Sequence, residues 1–205
     1  MSGAEPPLAS LRAQAAAQLR DGQWEDAVET FSACLALDLQ DAASLQGRAM
    51  ARFQLQQWAE AIADFRAAKA RHPDDLENWV GLGMSLAMDH QVYPAIATFE
   101  ELLAAHPDYV RGHLQLGLLY LQLGIIPKGR RQLEQALACR PSAPDRRLIE
   151  STLREQSKLD RKRYYRPDFD ALARQRGQHP QAFTRLRGWL RRLFDAWGRT
   201  PMNVI

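Results

Sequence analysis

The chain has 205 residues, 46% hydrophobic and 25% charged, a balance that supports a buried core and excludes a wholly disordered protein. Two cysteines, Cys34 and Cys139, make no disulfide framework, and no stretch reaches the roughly 18 apolar residues of a membrane span. The net charge of +3 is uneven: residues 1–143 carry 12 Lys/Arg against 17 Asp/Glu (net −5), and residues 144–205 carry 15 against 7 (net +8).

The opening residues, MSGAEPPLASLRAQ, lack a positive start followed by an apolar run. No secretory signal is expected, residues 1–7 are expected to be disordered, and the cytoplasm is the expected compartment.

From residue 8 onward the chain repeats. Pro73, Pro107 and Pro141 stand 34 residues apart, as do Ala27, Ala61, Ala95 and Gly129. Phe31, Phe65, Phe99 and Leu133 share that period, as do Ala15, Ala49, Gly83 and Gly117, and Trp24 and Trp58. One period in five registers defines units 8–41, 42–75, 76–109 and 110–143. Within each unit the apolar spacing is helical and is interrupted once, at Gly22, Gln56, His90 or Gly124. Each unit is therefore expected to be two helices of about 14 residues folded back on each other. The recurrent small residues let the two backbones approach, and the closing proline ends the second helix. Pro94 and Pro127 fall in the first turn of a second helix, where a missing N–H costs little.

These residues resemble the tetratricopeptide repeat (TPR) family. Unit 3 carries Trp79-x-x-Leu82-Gly83, then Ala95-x-x-x-Phe99, then Pro107; unit 4 keeps Leu116-Gly117-x-x-Tyr120 and Pro141. The resemblance spans residues 8–143 and implies an all-α, right-handed α-solenoid of four helix-turn-helix units. Unit 1 departs from the pattern at Gln14 and Leu39, as an end unit with one face in water can. Unit 2 departs at Arg48 and Arg52, where the family usually has Leu and Tyr. These two arginines lie i, i+4 on one helical face, and an ion pair with Glu25 or Glu29 is the expectation, an anion-binding pair the alternative.

The resemblance also implies a concave face lined by the first helix of each unit. Mapped residue by residue, the lining is Arg12, Ala16 and Leu19; Gln46, Met50 and Phe53; Glu77, Val80, Met84, Ala87 and Met88; and Arg111, Leu114, Leu118, Leu121 and Gln122. Chaperone-binding members of the family hold a C-terminal carboxylate with a Lys/Asn/Arg clamp. Arg12 and Ala16 stand where its Lys and Asn would be, and Met50 and Met84 replace other members, so capture of a chaperone tail is not expected. The groove is instead apolar with three methionines, which suits an apolar helix or peptide. Some of these residues, Ala87 and Leu121 among them, are alternatively packing between neighbouring first helices.

Residues 144–166 are expected to cap the solenoid, with Leu148, Ile149, Thr152, Leu153, Gln156 and Leu159 on one stripe. RKRYYRPDF follows at 161–169; its mix of basic and aromatic residues is compatible with nucleic acid, but no nucleic-acid module accompanies it and a solvated helix end is expected. Asp168 can cap a short helix through about Arg176. In the basic extension 167–205, the apolar residues Phe183, Leu186, Trp189, Leu190, Leu193, Phe194 and Trp197 fall on one helical face, with Arg185, Arg187, Arg191 and Arg192 largely opposite. Gly188 weakens such a helix by about 1 kcal/mol, so it needs a surface to lie on. That surface is its own solenoid, an anionic membrane or another protein; the sequence leaves all three open.

No catalytic motif accompanies the repeats. Gly81-x-Gly83 lacks a third glycine and lies within a helix, the five histidines are scattered, and no His/Cys/carboxylate set has metal-ligand spacing. His72 and His106 precede the repeat prolines, His113 takes the place of Trp79, and Cys34 reads as a core thiol. No enzyme activity, metal or cofactor is expected. The expected function is that of an adaptor binding a partner protein in the groove. The alternatives are a peripheral membrane tether acting through Trp189, Leu190, Leu193, Phe194, Trp197, Arg187, Arg191 and Arg192, or a chaperone of an apolar export substrate.

Overall fold

The structure, a computed structural model, describes residues 8–164. The expectations for residues 1–7, for a short helix after Asp168 and for the amphipathic stretch 183–197 lie outside the described residues. Among those described, all regular structure is helical: α1 (Leu8–Asp21), α2 (Trp24–Leu37), α3 (Ala42–Gln54), α4 (Trp58–Arg71), α5 (Leu76–Met88), α6 (Val92–Ala105), α7 (Val110–Gln122), α8 (Ile126–Ala138) and α9 (Ala143–Tyr164). Successive helices pack on one another in chain order, which makes a solenoid of four helix pairs closed by α9.

The interruption inside each unit is a left-handed residue. Gly22, Gln56, His90 and Gly124 have φ of 78°, 62°, 63° and 75°. In every unit the next N–H reaches back to the carbonyl five residues earlier at 2.9 Å: Gln23 to Gln18, Gln57 to Arg52, Gln91 to Leu86 and Ile125 to Tyr120. This is one helix ending four times over. Gln56 and His90 hold a conformation that costs an L-residue about 1 kcal/mol, so the turn geometry is imposed by packing. Pro127 sits at the start of α8 as expected.

The packing explains the repeated small residues. Ala15, Ala27, Ala49, Ala61 and Ala95 are all 0% exposed. The aromatic register is equally systematic. Phe31 of α2 lies against Gly47 of α3, and Phe65 of α4 against Gly81 of α5; a β-carbon at either glycine would overlap the ring. The third instance breaks the rule. Residue 115, one period after Gly81, is glutamine, so Phe99, which packs against Gly83 of its own unit, has no glycine facing it from the next. Correspondingly, α6 and α7 are packed less closely than α2 with α3 or α4 with α5. A side chain at 115 cannot admit the ring, so the helices stand apart.

His113 replaces Trp79 in function as well as in register. Trp79 Nε1 donates to the Pro73 carbonyl at 2.9 Å, and His113 Nε2 donates to the Pro107 carbonyl at 2.7 Å. The Nδ1 of His113 meets the side-chain amide of Gln132 at 2.7 Å.

The expected partner of Arg48 and Arg52 is corrected by the structure. Neither pairs with Glu25 or Glu29. Both bind Asp64, in the second helix of their own unit: Arg48 through two bonds of 2.8 Å and Arg52 through one of 2.6 Å. Asp64 is buried and faces both arginines across the hairpin; Arg48 also reaches α2, but there it meets the Ser32 hydroxyl at 3.2 Å rather than a carboxylate.

Helix α9 occupies the place of a fifth first helix. Ile149 is 0% exposed and joins Leu114, Leu118, Leu133 and Ala136, with Leu148 and Leu153 at the edge of that cluster. The positions that in other units face the second helix hold Arg147, Glu150, Ser151 and Arg154, all polar. The solenoid stops because α9 presents water with a polar back. One member of its predicted buried stripe departs: Leu159 is 53% exposed, because α9, with 22 residues, runs past the end of the 13-residue α7.

Candidate partner-binding groove

The first helices α1, α3, α5 and α7 bring the mapped lining residues to one face, in two classes. Leu19, Phe53, Val80, Met84, Leu114 and Leu118 are buried, between 1% and 7% exposed. Their surface lies largely in the core, where it holds neighbouring first helices together. Arg12, Ala16, Gln46, Met50, Glu77, Ala87, Met88, Arg111, Leu121 and Gln122 are half-buried and form the accessible surface. Burial separates these two sets; the residue types do not.

One edge of the groove is a ladder of polar links between units. Arg12 donates to Asp41 at 3.1 Å and Gln46 donates to Asp75 at 2.8 Å. Asp41 and Asp75 are the residues before α3 and α5, and Asp75 also accepts from the Glu77 N–H as a helix cap. In the next unit the ladder changes hands. Glu77 accepts from Tyr109 Oη at 2.9 Å and from Arg111 Nη1 at 2.5 Å. Burial, followed by the charge of Glu77, pushes the Tyr109 phenol's pKa well up. Burial works against the Arg111 charge, but Glu77 outweighs it and raises the guanidinium's pKa, with Asp145 of α9 adding to the effect. The ladder therefore fixes the spacing of the units and engages the charged groups of that edge. Arg12, expected at a clamp position, is occupied by Asp41.

The opening lies where the C-terminal halves of α5 and α7 meet α6. Met84, Ala87, Met88, Phe99, Gln115, Leu118, Leu119 and Gln122 line a cavity of ≈ 20 Å³, about the size of one or two water molecules. In the repeat, Gln115 of this lining stands where the earlier units have Gly47 and Gly81. Gln115 and Leu119 were not expected in the lining, and Phe99 was expected only as a packing residue of the repeat. The missing glycine in the 47, 81, 115 register was the available signal. The recess is apolar with two amides at its mouth, and nothing in it supports acid–base or nucleophilic chemistry.

Other candidates sit elsewhere. Cys34 is 0% exposed in the core. Cys139 caps the end of α8, where burial and the nearby Asp108 charge push its thiol pKa up and hold it in the unreactive form. Among the described residues no group of His, Cys, Asp and Glu has the arrangement of a metal site, and no helix is long and apolar enough to cross a membrane.

The profile of the tetratricopeptide repeat family matches residues 12–76 and 95–144, more than half of the chain. The chain belongs to the tetratricopeptide repeat family. No curated protein sequence matches it. Among solved structures, the thermophilic TPR protein TTC0263 of Thermus thermophilus aligns with a TM-score of 0.64 at 21% identity, covering 75% of this chain and 84% of that one. A MamA fragment from Desulfovibrio magneticus RS-1 aligns at 0.59 and 20% identity, covering 78% and 98%. The second TPR domain of human RPAP3, solved in complex with the HSP70 peptide SGPTIEEVD, aligns at 0.51 and 22%, covering 54% and 92%. Identities this low establish the shared fold alone. TPR proteins are in general interaction modules.

Proposed function

We propose that this TPR protein is a non-enzymatic adaptor that holds an apolar helix or peptide of a partner protein on its concave face, at the junction of units 3 and 4. The observation that carries this reading is the recess opened by Gln115. Met88 and Gln122 offer flexible apolar and amide surface at it, Met50 adds apolar surface further along the groove on α3, and the charged edge of the groove is paired within the chain. A ligand there gains chiefly by burying apolar surface, at about 25 cal/mol per Å². The occupied Arg12 and the methionines argue against a carboxylate-terminated chaperone tail as that ligand.

The test exploits the origin of the recess. Gln115→Gly restores the glycine register and lets Phe99 seat against α7, closing the recess without adding a charge. A photoreactive residue at Met88 is expected to cross-link a defined partner in cells, and Gln115→Gly is expected to remove that partner. Exposed Glu101, on α6, serves as the control position. The same proteins captured from both positions, or a partner indifferent to Gln115→Gly, would overturn the reading.

A further inference from the structure

We infer that the groove at units 3 and 4 is self-occupied: the amphipathic stretch 183–197 of the same chain docks there and competes with the partner. This rests on the groove reading above and adds its regulation.

Three surfaces at the α9 half of the solenoid are candidates to receive that stretch, and two are chemically wrong; the trough lined by Leu35, Leu39 and Leu45 lies between α2 and α3, at the far end. The exposed side of α9 is where a tenth helix would pair to extend the solenoid, but it carries Arg147, Ser151 and Arg154, and an apolar stripe laid there would strip water from charges without replacing it. The outer trough between α4 and α6 has an apolar floor of Leu82 and Leu86 beneath Arg66 and Lys69. Lys69 is paired with Glu101 at 3.5 Å, and Arg66 leaves the rim positive towards a segment holding Arg185, Arg187, Arg191 and Arg192 against a single Asp195.

The concave groove fits on both counts. Met88, Ala87 and the Gln115 recess supply the apolar contact. Along its charged edge Asp41, Asp75, Glu77 and Asp145 outnumber Arg12 and Arg111, which favours an arginine-rich segment. The chain also leaves from the correct place. Arg130 in the second turn of α8 pairs with Asp160 at 3.3 Å, so α9 runs antiparallel to α8 and parallel to α7. It continues for about nine residues beyond a helix of α7's length, roughly 13 Å, past the turn edge where the recess lies. The stripe of α9 that carries Leu148 and Thr152 ends there in exposed Leu159. The 18 residues from 165 to 182 span up to about 60 Å, more than enough to turn back into the groove. Once tethered, the segment faces an effective concentration on the order of millimolar, so a free partner competes at a disadvantage until the segment is drawn away.

The full chain carrying a photoreactive residue at Met88 tests this. Irradiated at low micromolar concentration, it is expected to cross-link within the chain to residues 183–197, with a yield unchanged by about hundredfold dilution. The double variant Trp189→Glu/Leu193→Glu is expected to lower that yield about tenfold and to raise partner capture by a similar factor. Cross-links that form only between chains, equal yield from position 101, or a segment engaged only when vesicles containing phosphatidylserine are added would each overturn self-occupancy. If position 88 misses the segment while Gln115→Gly still removes the partner, self-occupancy falls and the adaptor reading stands; if the partner is also indifferent, both fall.

Discussion

Arg48 and Asp64 form a two-point ion pair across the helices of the second unit, Nε to Oδ2 and Nη2 to Oδ1, each at 2.8 Å. Arg52 adds a third bond to the same carboxylate and Arg48 a fourth to Ser32 of the first unit at 3.2 Å. Other TPR units usually fill these positions with Leu and Tyr, so an apolar contact has been exchanged for a buried charge network. Removing Asp64 leaves two largely buried guanidiniums without their counter-ion. Asp64→Ala is expected to cost about 3–5 kcal/mol in chemical denaturation. The triple variant Arg48→Leu/Arg52→Tyr/Asp64→Ala is expected to recover most of that loss. A single variant within about 0.5 kcal/mol of the parent would show that the network does not hold the hairpin.

Gly81 and Gln115 occupy the same repeat position with opposite consequences. Gly81→Ala drives a methyl into the Phe65 ring and is expected to cost about 1–3 kcal/mol. Gln115→Gly carries a helix-propensity cost of about 1 kcal/mol, offset in part by seating Phe99. Equilibrium unfolding of both variants compares them. A Gly81→Ala protein as stable as the parent would refute the account of the closed junctions, and with it the account of the open one.

His113 stands in for tryptophan by reproducing one hydrogen bond, to the carbonyl of Pro107. His113→Phe keeps the ring and loses the donor, and should lower stability by about 1–3 kcal/mol, since the carbonyl is left without its partner. His113→Trp should retain the bond. Thermal melts of the pair decide whether the bond or the ring volume matters at this site.

Tyr120 donates to Glu100 at 2.8 Å, and burial, followed by that carboxylate, pushes its pKa up to about 12 from an ordinary 10.0. Because the folded value lies above the unfolded one, the neutral phenol's stabilisation is complete below about pH 10 and is lost as pH rises towards 12. Tyr120→Phe should abolish that part of the alkaline loss of stability. Spectrophotometric titration should show one fewer late-ionising tyrosine.

Much of this protein was written locally and then repeated. The 34-residue period, the four interruptions at Gly22, Gln56, His90 and Gly124, and the small residues at Ala15, Ala49, Ala27 and Ala61 are decided within one helix pair. A helix hairpin uses contacts between residues close in sequence, so single-chain spacing reports them. Only the tertiary structure decided which of the groove-facing residues keep any surface. Phe53 and Val80 are almost fully buried while Met50 and Met88 are not, because exposure depends on how far neighbouring units stand apart. That distance is set where Phe31 and Phe65 meet a glycine of the next unit and Phe99 does not. The partner of Arg48 was decided in the same way: Glu25, Glu29 and Asp64 are all acidic and all within plausible reach in sequence. The packing of α3 on α4 brought Asp64, and neither glutamate, within bonding distance.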